Sequence, residues 1–200
     1  MAVDEALLRL GKGPWIRFYN WDGTVVSFGY FQSLSEVTQR FPDLPMVRRW
    51  TGGGAVKHGD DLTFSIVTPS DHPLFRMRPM ASYRAIHEAV REALGLPGIC
   101  FYEGGNQGLG GICFEKPAPN DLLYQGHKIC GGAQRRSKSG LLHQGSIYLP
   151  AEDENFLERF AEKLGFSKNP QSLPDACQPL VDELVSSRYG NPVWIRSRMA

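Results

Sequence analysis

The chain has 200 residues, 42% of them hydrophobic, enough to bury one substantial core and within the usual range for a single domain spanning 1–200. Lys and Arg total 22 against 21 Asp and Glu, so no overall field exists to hold nucleic acid or an anionic membrane surface. The four cysteines form no C-x-x-C pair and no short His/Cys cluster, so no metal site is expected, and no run of 18 apolar residues offers a membrane span.

Ala2, Val3, Ala6, Leu7 and Leu10 recur at helical spacing until Gly11, which predicts an opening helix. The same segment carries acids where a secretory signal needs bases, so the chain is expected to be cytoplasmic with free thiols. Residues 14–19 and 24–28 are aromatic and β-branched and are separated by Asn20-Trp21-Asp22-Gly23, which reads as a hairpin with its turn at Asp22-Gly23. A helix is expected at about 35–40, and residues 62–67 alternate with the period of a strand buried on one face. Tyr83, Ile86, Val90 and Leu94 mark a helix that Gly95 and Pro97 end.

From 98 to 150 the chain is glycine-rich and strand-like, with strands expected at 99–102, 111–114, 121–124, 128–134 and 141–149. Gly-Ile-Cys-Phe occurs at Gly98 and again at Gly111, a match too short for a structural repeat and read as two similar strands. Phe156, Leu157, Phe160 and Leu164 predict a helix capped by Gly165. Leu180, Val181, Leu184 and Val185 predict a C-terminal helix at about 175–188, entered through the Ser-x-x-Asp signal of Ser172 to Asp175. Clustered strands favour an α+β domain with a largely antiparallel or mixed sheet flanked by helices.

Three segments carry chemistry. In the first, Arg48-Arg49-Trp50-Thr51-Gly52-Gly53-Gly54-Ala55-Val56, three successive glycines cost backbone entropy and suit a main chain that must approach a ligand. Its N–H groups and the two arginines could bind a carboxylate, carbonyl or phosphate; the plainer reading is a tight loop beside two solvated arginines. The run is neither a Walker loop nor a dinucleotide turn. In the second, Lys128-Ile129-Cys130-Gly131-Gly132-Ala133-Gln134, a lysine opens a strand that leads into paired glycines, where its ammonium could polarise an acyl carbonyl or a phosphate. The third is Leu142-His143-Gln144-Gly145-Ser146, whose histidine taken alone reads as a packing residue.

Taken in order, Arg-Arg-x-Thr-Gly-Gly-Gly-Ala-Val-x-His, Gly-x-Lys-Ile-x-Gly-x-Ala-Gln and His-x-Gly-Ser resemble the signature of the lipoate/biotin protein ligase and octanoyltransferase superfamily. The resemblance covers about 1–165 and includes the opening helix. It implies a class II synthetase-like catalytic domain that attaches an octanoyl or lipoyl group to a protein lysine. It also implies that Arg48, Arg49, Thr51, Gly52, Gly53 and Gly54 line the acyl and carboxylate or phosphate end of the pocket, with Lys128, Gly131, Gly132 and Ala133 forming its other wall and His143 and Gly145 beneath. Trp50, Phe64 and Ile129 are candidates for an apolar slot.

Within that superfamily, one octanoyltransferase branch carries its nucleophile in a Cys-Phe-Glu/Asp-x-Pro segment. Cys113-Phe114-Glu115-Lys116-Pro117 stands in the corresponding place, fifteen residues ahead of Lys128. A Cys113 thioester keeps the acyl group activated without ATP, so the implied reaction moves an octanoyl (or lipoyl) group from acyl carrier protein to a lysine of lipoyl domains of 2-oxoacid dehydrogenases or of the glycine cleavage H protein, with no cofactor. By itself, Cys113 would read as a small buried hydrophobe, and Cys130 is its nearest rival. Two features belong to ATP- and Mg2+-dependent lipoate ligases instead: the pair Asn120-Asp121, and the third glycine of the glycine run. A noncatalytic acyl-binding subunit is a further alternative, against which Lys128 and the complete glycine run both argue. Arg135, Arg136 and Lys138 form either a docking patch for acidic partner domains or a solvated face.

Overall fold

The computed structural model describes residues 1–104, 117–148, 153, 155–167 and 171–197. The strand expected at 111–114, and Cys113 with it, lies outside the described residues. In chain order the elements are α1 (Ala2–Leu10), β1 (Trp15–Tyr19), β2 (Val25–Phe28), α2 (Leu34–Arg40), β3 (Met46–Arg48), β4 (Val56–His58), β5 (Leu62–Pro69), α3 (Pro73–Arg76), α4 (Pro79–Leu94), β6 (Cys100–Phe101), β7 (Leu122–Tyr124), β8 (His127–Ser137), β9 (Gly140–Ile147), α5 (Phe156–Lys163), α6 (Cys177–Leu184), a π-helical turn (Val185–Tyr189) and α7 (Pro192–Arg196). None of the described helices is long and apolar enough to cross a membrane.

Six strands form one sheet in the order β1-β5-β9-β8-β7-β6, every neighbouring pair antiparallel, and β3-β2-β4 form a small mixed sheet. The class is therefore α+β with a largely antiparallel main sheet. Alternation along the strands sorts its two faces. Phe64 and Ile66 of β5, Leu141 and Ile147 of β9 and Cys130 of β8 pack with Ile86 and Val90 of α4 and with Phe156 and Phe160 of α5. Val67 and Leu142 point the other way and pack with Ala6, Leu7 and Leu8 of α1 and Leu184 of α6. The small sheet has its own core of Val26, Phe28, Val37 and Ala55.

The expected hairpin is corrected: β1 pairs with β5 in the large sheet, whereas β2 pairs with β3 and β4 in the small one. The chain turns a corner between the sheets. Trp21 fixes that corner by stacking on His58 at 4.5 Å between ring centroids while its indole N–H donates to Thr63 Oγ1 at 2.9 Å. A glycine turn between two apolar runs allows either outcome, and the longer, better buried edge of β5 draws β1 away. The Ser172 capping signal is likewise unused, because α6 starts behind Ala176, with Cys177 N–H donating to the Pro174 carbonyl.

Candidate active site

The lysine segment is shaped by a β-bulge. Leu122 faces Cys130 but Leu123 faces Lys128, which leaves Ile129 as an extra residue on β8. One added residue breaks the alternation of faces, and the Lys128 side chain folds back over Gly131. A Cβ at position 131 would fall against Lys128 Cε and sit 2.6 Å from its Nζ, so this glycine is the space the lysine occupies. Lys128 Nζ pairs with Asp121 Oδ2 at 2.7 Å, their side chains 5% and 1% exposed. Asp121 is itself fixed by the Tyr83 hydroxyl, which donates to Oδ1 at 2.7 Å, and by the Ala118 N–H, which donates to Oδ2 at 2.6 Å. The Tyr83 oxygen also accepts the Gly132 N–H at 2.8 Å, so one residue of α4 ties the carboxylate to the strand.

Cys130, the rival thiol, is fully buried and lies 3.9 Å from His87 Nε2. His87 Nδ1 donates to the Asn120 carbonyl at 2.7 Å, which leaves Nε2 to accept from the thiol. Burial, reinforced by the Asp121 charge, pushes the Cys130 thiol well above its usual range. Burial likewise lowers His87 to about 4, so the pair is neutral and inert. Cys177 is also buried and Cys100 is exposed.

The paired glycines have different neighbours. Gly132 is kept bare by His143, whose Nε2 a Cβ would meet at 2.5 Å, and Gly145 by the ring of Phe64. His143 stacks on Phe64 at 5.5 Å and lies 5.3 Å from Tyr83, on the α4 side of the sheet and within its core. Gln144 and Ser146, the next residues of opposite facing, reach Thr51 at the start of the glycine run and Asp61 respectively. Thr51 Oγ1 donates to Gln144 Oε1 at 2.8 Å, and Gln144 Nε2 donates to Asp4 Oδ2 at 2.8 Å. Gln144 and Asp4 belong to the site although no motif reading singled them out. Strand alternation next to His143 was the available signal for Gln144.

The two arginines before the glycine run are buried rather than solvated. Arg48 donates to the carbonyls of Gly29, Tyr30 and Gln32 and to those of Trp194 and Ile195 on α7, at 2.8 to 3.3 Å. Arg49 donates to Ser27 Oγ at 2.6 Å and to the carbonyls of Gly52 and Gly54 at 3.1 and 2.7 Å. Both guanidiniums thus hold main chain, Arg48 at the carbonyls of α7 and of residues 29–32 and Arg49 within the glycine run itself. Trp50 is half-buried beneath Arg135, whose guanidinium lies 4.2 Å from the ring centroid. Phe64 and Ile129 lie in the main core. Arg136 is committed to the carbonyls of Leu74 and Phe75 and to Ser82, so Lys138 is the exposed member of the expected basic patch.

The candidate site therefore comprises the Thr51–Gln144–Asp4 chain, which joins the start of the glycine run to β9 and α1, and the Lys128–Asp121 pair at the bulge of β8. An ammonium held in this way can polarise an acyl carbonyl.

Comparison with known proteins gives the family and the fold. The model of the lipoyl protein ligase A/B catalytic domain matches residues 1–188. The chain is 33% identical over 215 residues to octanoyltransferase LipM of Exiguobacterium sp., covering 94% of this chain and 78% of that one. It is 31% identical to LipM of Brevibacillus brevis, covering 97% and 92%, and 32% identical to LipM of Bacillus subtilis, covering 80% and 64%. Among solved structures it shares its fold with a lipoate-protein ligase A bound with ATP, at a TM-score of 0.79 and 22% identity over 99% and 93% of the two chains. It shares it also with a T. acidophilum protein with bound lipoic acid, at 0.79 and 23% over 98% and 91%.

Proposed function

We propose that this chain, which belongs to the lipoyl protein ligase A/B catalytic domain family, is an octanoyltransferase that works through a Cys113 thioester. The observation that carries the reading is the buried Lys128 ammonium, clasped by Asp121 over Gly131, in a chain whose relatives of 31–33% identity are octanoyltransferases. The Cys113 thiolate attacks the thioester carbonyl of an octanoyl carrier protein and releases the carrier thiol. A deprotonated lysine amine of the acceptor then attacks the Cys113 thioester, forming the amide and returning the thiol. Each step passes through an oxyanion, which in this reading the Lys128 ammonium and main-chain amides of the glycine run stabilise. The acceptor is a lipoyl domain or the glycine cleavage H protein, the donor is acyl carrier protein, and no ATP is needed because the acyl group arrives activated.

The test uses octanoyl carrier protein and a lipoyl domain without ATP, followed by intact masses of all proteins. An octanoyl adduct on the wild-type chain that is missing from Cys113→Ala, with octanoyl appearing on the lipoyl domain, is the expected result. Acylation that requires free lipoate and ATP would overturn it in favour of an adenylating ligase, and no acylation under either condition would identify a noncatalytic subunit.

A further inference from the structure

Behind the glycine run lies a buried chain of four polar side chains that none of the chemistry above uses. His58 faces Val25 across the β2/β4 pair, and Ser27, two residues along β2, lies on the same side. Ser27 Oγ is 2.7 Å from His58 Nε2, and His58 Nδ1 is 2.7 Å from Asp61 Oδ2. Arg49 donates to Ser27 Oγ from the opposite end at 2.6 Å. Asp61 also accepts from Thr63 Oγ1 at 3.1 Å, from the Gly59 N–H at 3.1 Å and from Ser146 Oγ. Ser27, His58 and Asp61 are each no more than 5% exposed.

One assignment satisfies every atom. A carboxylate only accepts, so His58 carries its proton on Nδ1 and leaves Nε2 to accept the Ser27 hydroxyl, while the Ser27 oxygen accepts from Arg49. The chain runs in one direction from a cation to an anion, and its far end grips the glycine run through Arg49 and the carbonyls of Gly52 and Gly54. The spacing resembles a serine nucleophile with its base. However, Ser27 is 1% exposed and its oxygen is engaged by a guanidinium, which withdraws the lone pair a nucleophile needs.

We propose that Ser27, His58 and Asp61 are positioning residues that hold Arg49 and, through it, aim the amides of Gly52, Gly53 and Gly54 at the acyl group. Three consecutive glycines impose little restraint of their own, so beyond the packing of Gly29 against Gly52 and Gly53 the loop depends on what holds its carbonyls. The consequence for turnover rests on the acyltransferase reading above; the consequence for loop order does not.

The test measures amide order parameters of Gly52 to Gly54 by nitrogen-15 relaxation in the full chain, in wild type, Ser27→Ala, Ser27→Thr and His58→Gln. Wild type and Ser27→Thr should give values near those of rigid backbone, about 0.85, and Ser27→Ala and His58→Gln should fall below about 0.6 in the loop, with β5 and β9 unchanged. Octanoyl transfer by Ser27→Ala should fall about tenfold in kcat with KM changed less than twofold. Equal loop order in wild type and Ser27→Ala would overturn the relay, as would a wild-type loop already below about 0.6, a loss of order spread evenly through β5 and β9, or labelling of Ser27 by a fluorophosphonate. The expected change in loop order in a wild-type chain inactive in transfer would leave the relay standing and reject the enzymatic assignment instead.

Discussion

Lys128 and Asp121 form a buried ion pair whose members cannot be removed one at a time at low cost. Replacing Lys128 by Met leaves the Asp121 charge buried against Tyr83 and the Ala118 amide with no cation, which costs about 3–5 kcal/mol. The double variant Lys128→Met/Asp121→Asn removes that charge as well and should recover most of the stability in urea unfolding. It should recover none of the transfer activity, which should stay roughly 10²–10³-fold below wild type because an oxyanion donor is missing. Activity that returned with stability would show Lys128 to be structural. The sequence exposes Lys128 and Gly131 as a pattern, since a lysine followed by paired glycines is visible in the chain. Asp121 was legible only as a neighbour of Asn120, and Tyr83 only as an apolar position of a helix. Their tie to Lys128 depends on where α4 crosses the bulged edge of β8, which local sequence does not encode.

Among the elements, the connections between strands matter more than the strands. The glycine run from Gly52 to Gly54 is pressed against Gly29, where a Cβ would collide with the Gly53 carbonyl and stand 3.0 Å from the Gly52 carbonyl carbon. Main chain cannot yield as a flexible side chain does, so Gly29→Ala should displace the run. We expect at least a tenfold loss of kcat/KM for octanoyl transfer together with a loss of roughly 1–3 kcal/mol of stability; wild-type kinetics would show that the loop shape is not set by this contact. The helices at 2–10, 79–94 and 156–163 follow from apolar spacing and glycine stops, because that information is local. The failed hairpin shows the opposite case. Asp22-Gly23 specifies a reversal of the chain, but whether the two strands then pair depends on partners forty residues away in β5 and thirty away in β4.

For the molecule as a whole, the core beneath α4 contains imidazoles kept neutral. Burial holds His143 well below the usual histidine range, with His87 adding to the effect, and burial brings His87 to about 4. An unfolded histidine titrates near 6.5, so below that pH the unfolded chain takes up protons that the folded core refuses, and stability falls as pH drops from 6.5 toward 4. His87 alone should make the fold about 2 kcal/mol less stable at pH 5 than at pH 7, with His143 acting in the same direction. Urea midpoints measured between those values check this, and a flat profile would show that the imidazoles protonate in place. At the same scale, α7 returns to the site's support: Trp194 is buried, its indole donates to the Arg48 carbonyl at 3.2 Å, and Arg48 holds the carbonyls of Trp194 and Ile195.

By itself the sequence determined the α+β class, the family and the order of the glycine, lysine and histidine segments. The class rests on the periodicity and clustering of the elements and the family on the resemblance of three ordered motifs, all properties of neighbours along the chain. It marked Arg48 and Arg49 as candidates for ligand contact, and only the tertiary structure decided that both are buried and spend their donors on main-chain carbonyls. It marked His143, and the pleat of β9 decided that His143 faces the core while Gln144 joins Thr51 to Asp4. Ser27, Asp61 and Tyr83 carry no local signal because a serine in a strand or a tyrosine in a helix is ordinary until the fold brings its partner to 2.7 Å. Charge and hydrogen bonding act across space, so the residues that hold the site become visible only once distant segments meet.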